Sequence, residues 1–136
     1  MEFCSLEKLL TSSDFITLHV PLTNETKHLI DENELSLMKE TAYLINTSRG
    51  AVINEKALVK SLMEKQIAGA ALDVYEFEPK LSANLVDLEN VILTAHIASA
   101  TIETRTKMGM IAVDNLLAGL NQKQPLNCVN PQIYNK

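Results

Sequence analysis

Residues 42–74 read AYLINTSRGAVINEKALVKSLMEKQIAGAALDV, two apolar runs joined by a polar turn and an amphipathic stretch. Ala42 to Asn46 is an apolar run of strand length, followed by a polar turn with Arg49 and Gly50. Asn54 is placed to cap a helix, Glu55 to Gln66, with Leu58, Leu62 and Met63 on one face. Gly69 ends the next turn and leads into a second apolar run, Ala70 to Val74. Strand, helix and strand in this order form a unit of a parallel sheet.

The same rhythm continues on both sides. Upstream, Ser5 can cap a helix over Leu6–Thr11, and Phe15–Val20 is a β-branched strand stopped by Pro21. Leu22–Ile30 reads as loop, and Asp31 with Glu34 resembles a capping box opening a helix to about Lys39. Downstream, Glu76–Glu89 is polar loop and Val91–Thr94 is a fourth strand. A long helix from Thr101 to about Leu120 carries Met108, Ile111, Ala112, Asn115, Leu116 and Gly119 near one stripe. The tail, Asn121–Lys136, holds Pro125 and Pro131 and is expected to be extended. The fold class expected is α/β, a parallel sheet with flanking helices. The strand runs are nearly continuous apolar stretches, which predicts a sheet covered on both faces.

Composition narrows the function. The 136 residues suffice for one real core, and 46% hydrophobic with 21% charged residues is ordinary globular usage. A net charge of −5 disfavours sequence-independent nucleic-acid binding and docking on anionic membranes. No apolar stretch approaches the ~20 residues of a membrane span, and Met1–Leu10 does not read as a secretory signal. Cys4 and Cys128, near opposite ends, are expected to be free thiols in a reducing cytoplasm. No HExxH, zinc-type Cys/His spacing or Asp-rich loop occurs, so no metal is expected.

Parallel strands bring their carboxyl ends to one edge, where open α/β sheets bind ligands. Arg49, Asp73, Glu78 and His96 all follow or end such strands. A planar guanidinium at Arg49 suits bidentate grip of a carboxylate, or pairs with a surface acid. Asp73 ends an apolar strand, where it needs hydrogen bonds from a ligand amide or from a loop or helix amide. Glu76 and Glu78 share an acidic loop, and spacing does not say which points inward. His96 has small neighbours, Ala95, Ala98 and Ser99, and a carboxylate beside it would favour the imidazolium form. Such a group can hand a proton to a carbonyl oxygen, or it can be purely structural. His19 is expected to be partly buried inside its strand and His28 on a loop. The four glycines form no GxGxxG, so a dinucleotide pyrophosphate has no recognisable cradle.

Four stretches carry a resemblance: SDFITLHVPL (13–22), LINTSRG (44–50), GAALDVYEFEP (69–79) and TAHIASAT (94–101). In this order and spacing they closely resemble the D-isomer-specific 2-hydroxyacid dehydrogenases, over Leu6 to Pro131. The resemblance implies a partial Rossmann-like sheet, the second half of a dinucleotide-binding domain, over residues 1–120. Residues 121–136 would be a tail that in the family returns to the substrate domain. It implies that Arg49 orients the substrate, His96 is the general acid/base, and Glu78 rather than Glu76 keeps His96 protonated. Asp73 would hold the nicotinamide carboxamide of NAD or NADP, and Val20, Pro21, Thr47, Ser48, Ala98 and Ser99 would line the cofactor. The segments His96–Thr101 and Asn115–Leu120 look most like glyoxylate/hydroxypyruvate reductases, which implies a small 2-oxo or 2-hydroxy acid as substrate. Ala95 replaces a usual Pro and Ala98 a frequent Gly, without removing a reacting group.

Family members are more than twice this length, so the glycine-rich loop and the ribose-reading acid are expected ahead of Met1. Two expectations follow. The chain is a fragment of an oxidoreductase that carries catalytic residues and is inactive alone, or it is a non-catalytic module that self-associates and keeps relic site residues. A truncated parallel sheet exposes an edge and apolar faces, which predicts a homo-oligomer, with the long helix as a contact.

Overall fold

A computed structural model describes residues 3–134 of the chain, which falls into two compact units, Met1–Ile97 and Ala98–Lys136. In the first, the order is α1 (Leu6–Ser12), β1 (Phe15–Leu18), α2 (Glu32–Leu37), β2 (Tyr43–Asn46), α3 (Glu55–Met63), β3 (Gly69–Leu72) and β4 (Val91–Leu93). The four strands form one parallel sheet in sequential order, with Phe15 opposite Tyr43, Leu44 opposite Ala70, and Ala71 opposite Ile92.

Local chemistry sets the helix ends. Ser5 Oγ accepts from Lys8 N, and the capping box of Asp31 and Glu34 is fully formed. Asn54 Oδ1 accepts from Ala57 N. Helix α3 stops at Met63, short of the expected Gln66. Lys65 adopts φ 55°, and Gln66 N and Lys65 N bond back to Ser61 O and Leu62 O. This is the left-handed closure that usually uses glycine.

One core holds the unit together. Leu10 of α1, Leu35 of α2 and Leu58 and Leu62 of α3 pack with Ile16, Leu18, Leu44, Ala70 and Leu72 of the sheet. The expectation of a sheet covered on both faces is corrected. Along β1 the burial alternates, and on the opposite face Phe15 is 69% and Ile92 67% exposed. Tyr43 stacks on Phe15 there with ring centroids 5.6 Å apart. The reason is topological: strands added in one direction by right-handed crossovers place their connecting helices on the same face.

Ser61, on the buried side of α3, is 2% exposed, and its hydroxyl has no hydrogen-bond partner among the described residues. Leaving it unpaired costs about 1–3 kcal/mol, and alanine is the better helix former. Ser61→Ala is therefore expected to raise stability by about 1 kcal/mol in urea denaturation. A loss of stability would show that the hydroxyl is satisfied.

The second unit contains α4 (Ile102–Leu120), capped by Thr101, whose hydroxyl accepts from Thr104 N. No residue of α4 is buried, and the stripe from Met108 to Gly119 runs along it. The stripe's one polar member, Asn115, holds the following segment through two 3.1 Å bonds with Asn127. The tail is not wholly extended: Pro131–Tyr134 form a 3-10 turn, with proline at a first helical position where its missing N–H is harmless. Asn135 and Lys136 of the expected tail lie outside the described residues.

Candidate functional site

Asn46 builds the turn that presents Arg49. As the last residue of β2 it falls in register with inward-facing Leu44 and is 1% exposed. Its Oδ1 accepts from Ser48 N (3.0 Å) and Ser48 Oγ (2.8 Å), and its Nδ2 donates to Arg49 O (3.0 Å). The side chain thus closes a tight turn on its own backbone. Arg49 projects from that turn, exposed, with Nη1 donating to Ser48 O at 2.7 Å. Among the described residues it forms no ion pair. The surface-pairing alternative thus finds no partner acid.

Beyond β3 the chain turns through Tyr75 to Glu78. Glu78 Oε1 accepts from Tyr75 N at 3.0 Å, and Oε2 lies 3.0 Å from His96 Nδ1. The hydrogen bond from His96, and then that from Tyr75 N, hold the Glu78 carboxyl below its ordinary range. Tyr75 Oη donates to Thr94 O at 2.6 Å, pinning the loop to the end of β4. Burial first, and the nearby Asp73 charge second, push the Tyr75 phenol up.

His96 sits at φ 54°, a left-handed conformation uncommon outside glycine though less so for histidine. Its neighbours hold it there: Ile97 N donates to Asp73 Oδ1 at 2.8 Å, and the Thr94 hydroxyl donates to the same oxygen at 2.5 Å. Asp73 itself is 4% exposed. Backbone held in a sparsely populated region is typical of functional sites.

Arg49, Glu78 and His96 line one open cleft of about 620 Å³ at the carboxyl edge of the sheet, with Gly50, Tyr75 and Pro79. A fixed cation, a carboxylate and an imidazole therefore share a space large enough for a small acid. The other predicted residues are more dispersed. Val20 packs against the core, and Pro21 O accepts from the Thr26 hydroxyl at 2.6 Å. Thr47 is exposed beside half-buried Ser48 in the Asn46 turn. Ala98 and Ser99 open the second unit. Among the described residues no group of three or more His, Cys, Asp or Glu could hold a metal, and no helix is long and apolar enough to cross a membrane.

His19 corrects an expectation: it is exposed and lies past the end of β1, with Nε2 3.0 Å from Thr17 Oγ1. Glu76 does point inward, but to His28, whose Nε2 is 2.7 Å from Glu76 Oε1. The two acids of the loop are thus divided between two histidines. Sequence reasoning missed Asn46, Glu55 and Tyr75. The first two were detectable, because Asn46 alternates with Leu44 and Glu55 lies on the helical stripe of Leu58, Val59 and Leu62. The His28–Glu76 pair, 48 residues apart, left no local signal.

The family described as "D-isomer specific 2-hydroxyacid dehydrogenase, NAD binding domain" matches residues 1–98. A glyoxylate reductase of Aeropyrum pernix is 54% identical over 134 residues, 97% of this chain and 40% of that protein. A crystal structure of a glyoxylate reductase from Paecilomyes thermophila superposes with a TM-score of 0.89 at 37% identity, over 95% of this chain and 39% of that one. The NADPH-dependent glyoxylate/hydroxypyruvate reductase of Sinorhizobium meliloti, solved with NADP and malonate, gives 0.85 at 37% identity, over 90% of this chain and 38% of that one. The chain spans about two fifths of the length of the curated relatives it matches.

Proposed function

The chain belongs to the D-isomer specific 2-hydroxyacid dehydrogenase family, and we propose that within a longer polypeptide it reduces a small 2-oxo acid of the glyoxylate or hydroxypyruvate kind with NADH or NADPH. The observation that carries this reading is the Glu78–His96 pair, 3.0 Å apart, in one cleft with Arg49. Arg49 grips the substrate carboxylate and orients the carbonyl beside it. When bound, the reduced nicotinamide supplies a hydride to the carbonyl carbon. His96 donates a proton to the carbonyl oxygen from Nε2, because Nδ1 is taken by Glu78. Glu78, kept ionised, pairs with Nδ1 and fixes the ring.

The residues fit the nicotinamide end of the cofactor. Asp73 is a buried acceptor of fixed orientation at the end of β3, suited to a carboxamide N–H. Val20 and Pro21, Thr47 and Ser48, and Ala98 and Ser99 are proposed as further cofactor-lining positions from the resemblance. The pyrophosphate end has no glycine-rich cradle in these 136 residues. The chain alone is accordingly expected to show no turnover and no micromolar binding of NADH or NADPH by calorimetric titration. The complete polypeptide is expected to reduce glyoxylate or hydroxypyruvate. Inactivity of that polypeptide with both substrates and both cofactors would overturn the reading.

A second reading, a non-catalytic module that binds its own copies, is supported by the open sheet face with Phe15, Tyr43 and Ile92 exposed. Light scattering that gives a clean monomer at micromolar concentration would sink it. A cytoplasmic location is supported by two free thiols, Cys4 and Cys128. Cell fractionation that places the chain elsewhere would remove that support.

A further inference from the structure

Glu55 is the first residue of α3, an ordinary place for a solvated acid, yet it is 3% exposed. Its carboxyl group reaches out of its own helix. Oε2 accepts from Glu76 N at 2.7 Å and Oε1 accepts from Ser82 N at 3.3 Å. These two amides bracket the segment that carries Glu78. The tie is reciprocal: Glu76 Oε2 accepts from Glu55 N at 3.1 Å, capping the amino end of α3, while Glu76 Oε1 meets His28 Nε2. On the other side of the loop, Gly50 lies directly against the Tyr75–Glu76 backbone. The loop is therefore clamped at both ends, and Glu78 has little freedom relative to His96.

We propose that Glu55 is a positioning residue for the Glu78–His96 pair, acting through the Glu76 and Ser82 backbone amides. A buried carboxyl group with two amide donors is an anchor, the 2.7 Å bond from Glu76 N being the tighter of its two ties. The catalytic consequence rests on the function proposed above, whereas the anchoring does not.

The test needs no turnover. Glu55→Ala removes both acceptors, and Glu55→Gln keeps the shape but only one acceptor oxygen. In the folded 136-residue chain, amide exchange at Glu76 and Ser82 is expected to speed up by about 10-fold or more in Glu55→Ala, and less in Glu55→Gln. A carbon-13 NMR titration of the Glu78 carboxyl is expected to move its midpoint up toward 4.5, because the pairing with His96 that lowers it loosens. Ser61→Ala, on the same helix, should change neither. Faster exchange with an unmoved Glu78 midpoint would make Glu55 merely structural and overturn the proposal. So would wild-type behaviour of both observables in Glu55→Gln if Glu55→Ala does not fold. Failure of the proposed activity would leave these readouts untouched, so the two ideas fail separately.

Discussion

Gly50→Ala is expected to be the most damaging single-methyl change in the chain. A Cβ at residue 50 would lie 1.9 Å from the Tyr75 carbonyl carbon, 2.0 Å from its oxygen and 2.4 Å from Glu76 N. These are backbone atoms, which no rotamer change can move aside. The demand here is for space, since no glycine of the chain has positive φ. Overpacking of a rigid site costs about 1–3 kcal/mol, and a clash with backbone on this scale should reach or exceed the upper end. Relief would require lifting the Tyr75–Glu78 loop off the Arg49 turn, which dismantles the cleft. The control is Gly109→Ala in α4, where an added Cβ meets nothing within 4 Å among the described residues. That variant should gain up to about 1 kcal/mol from helix propensity. Urea unfolding compares the two, and a Gly50→Ala midpoint equal to wild type would mean that the loops are not packed as described.

How much of this was legible in the sequence depends on the range over which each signal acts. The existence of the strands, the caps at Ser5, Asp31 and Asn54 and the parallel arrangement follow from local patterns, whereas β1 ends at Leu18 rather than Val20 and β3 at Leu72 rather than Val74. The open face of the sheet was not legible, because apolar Phe15, Tyr43 and Ile92 read the same whether or not something covers them. The strand-end rule puts Arg49, Asp73 and His96 at the carboxyl edge of the sheet, where Arg49 and His96 line the cleft with Glu78. It could not divide Glu76 from Glu78, which are two residues apart in a loop without periodicity. The division is made by partners 48 and 18 residues distant, His28 and His96. Glu55 shows the opposite failing: its helical period marks it as inward, but a charged residue in a first turn is so commonly a solvated one that the period alone does not single it out.

His96 variants carry the largest expected effect on the proposed activity. With His96 as proton donor, His96→Ala in the complete polypeptide should lower kcat by about 10²–10⁴-fold. Backbone strain complicates that variant, because alanine at φ 54° is less tolerated than histidine or asparagine. His96→Asn removes the acid while suiting the left-handed backbone. Both variants should lose kcat alike, and His96→Ala alone should lose about 1 kcal/mol of stability beyond the lost hydrogen bond. The pairing also predicts a pH signature. Glu78 is depressed in the folded state, chiefly by the hydrogen bond from His96. Its contribution to stability is therefore present above its unfolded value, near pH 4.5, and is lost as pH falls through the lower folded value. His96→Ala removes the main cause of the depression, so the stability gap between wild type and variant should narrow on acidification below pH 4.5. A gap independent of pH across that window would mean that Glu78 and His96 are not coupled in solution. A kcat retained by His96→Asn would move the proton to another donor lining the cleft.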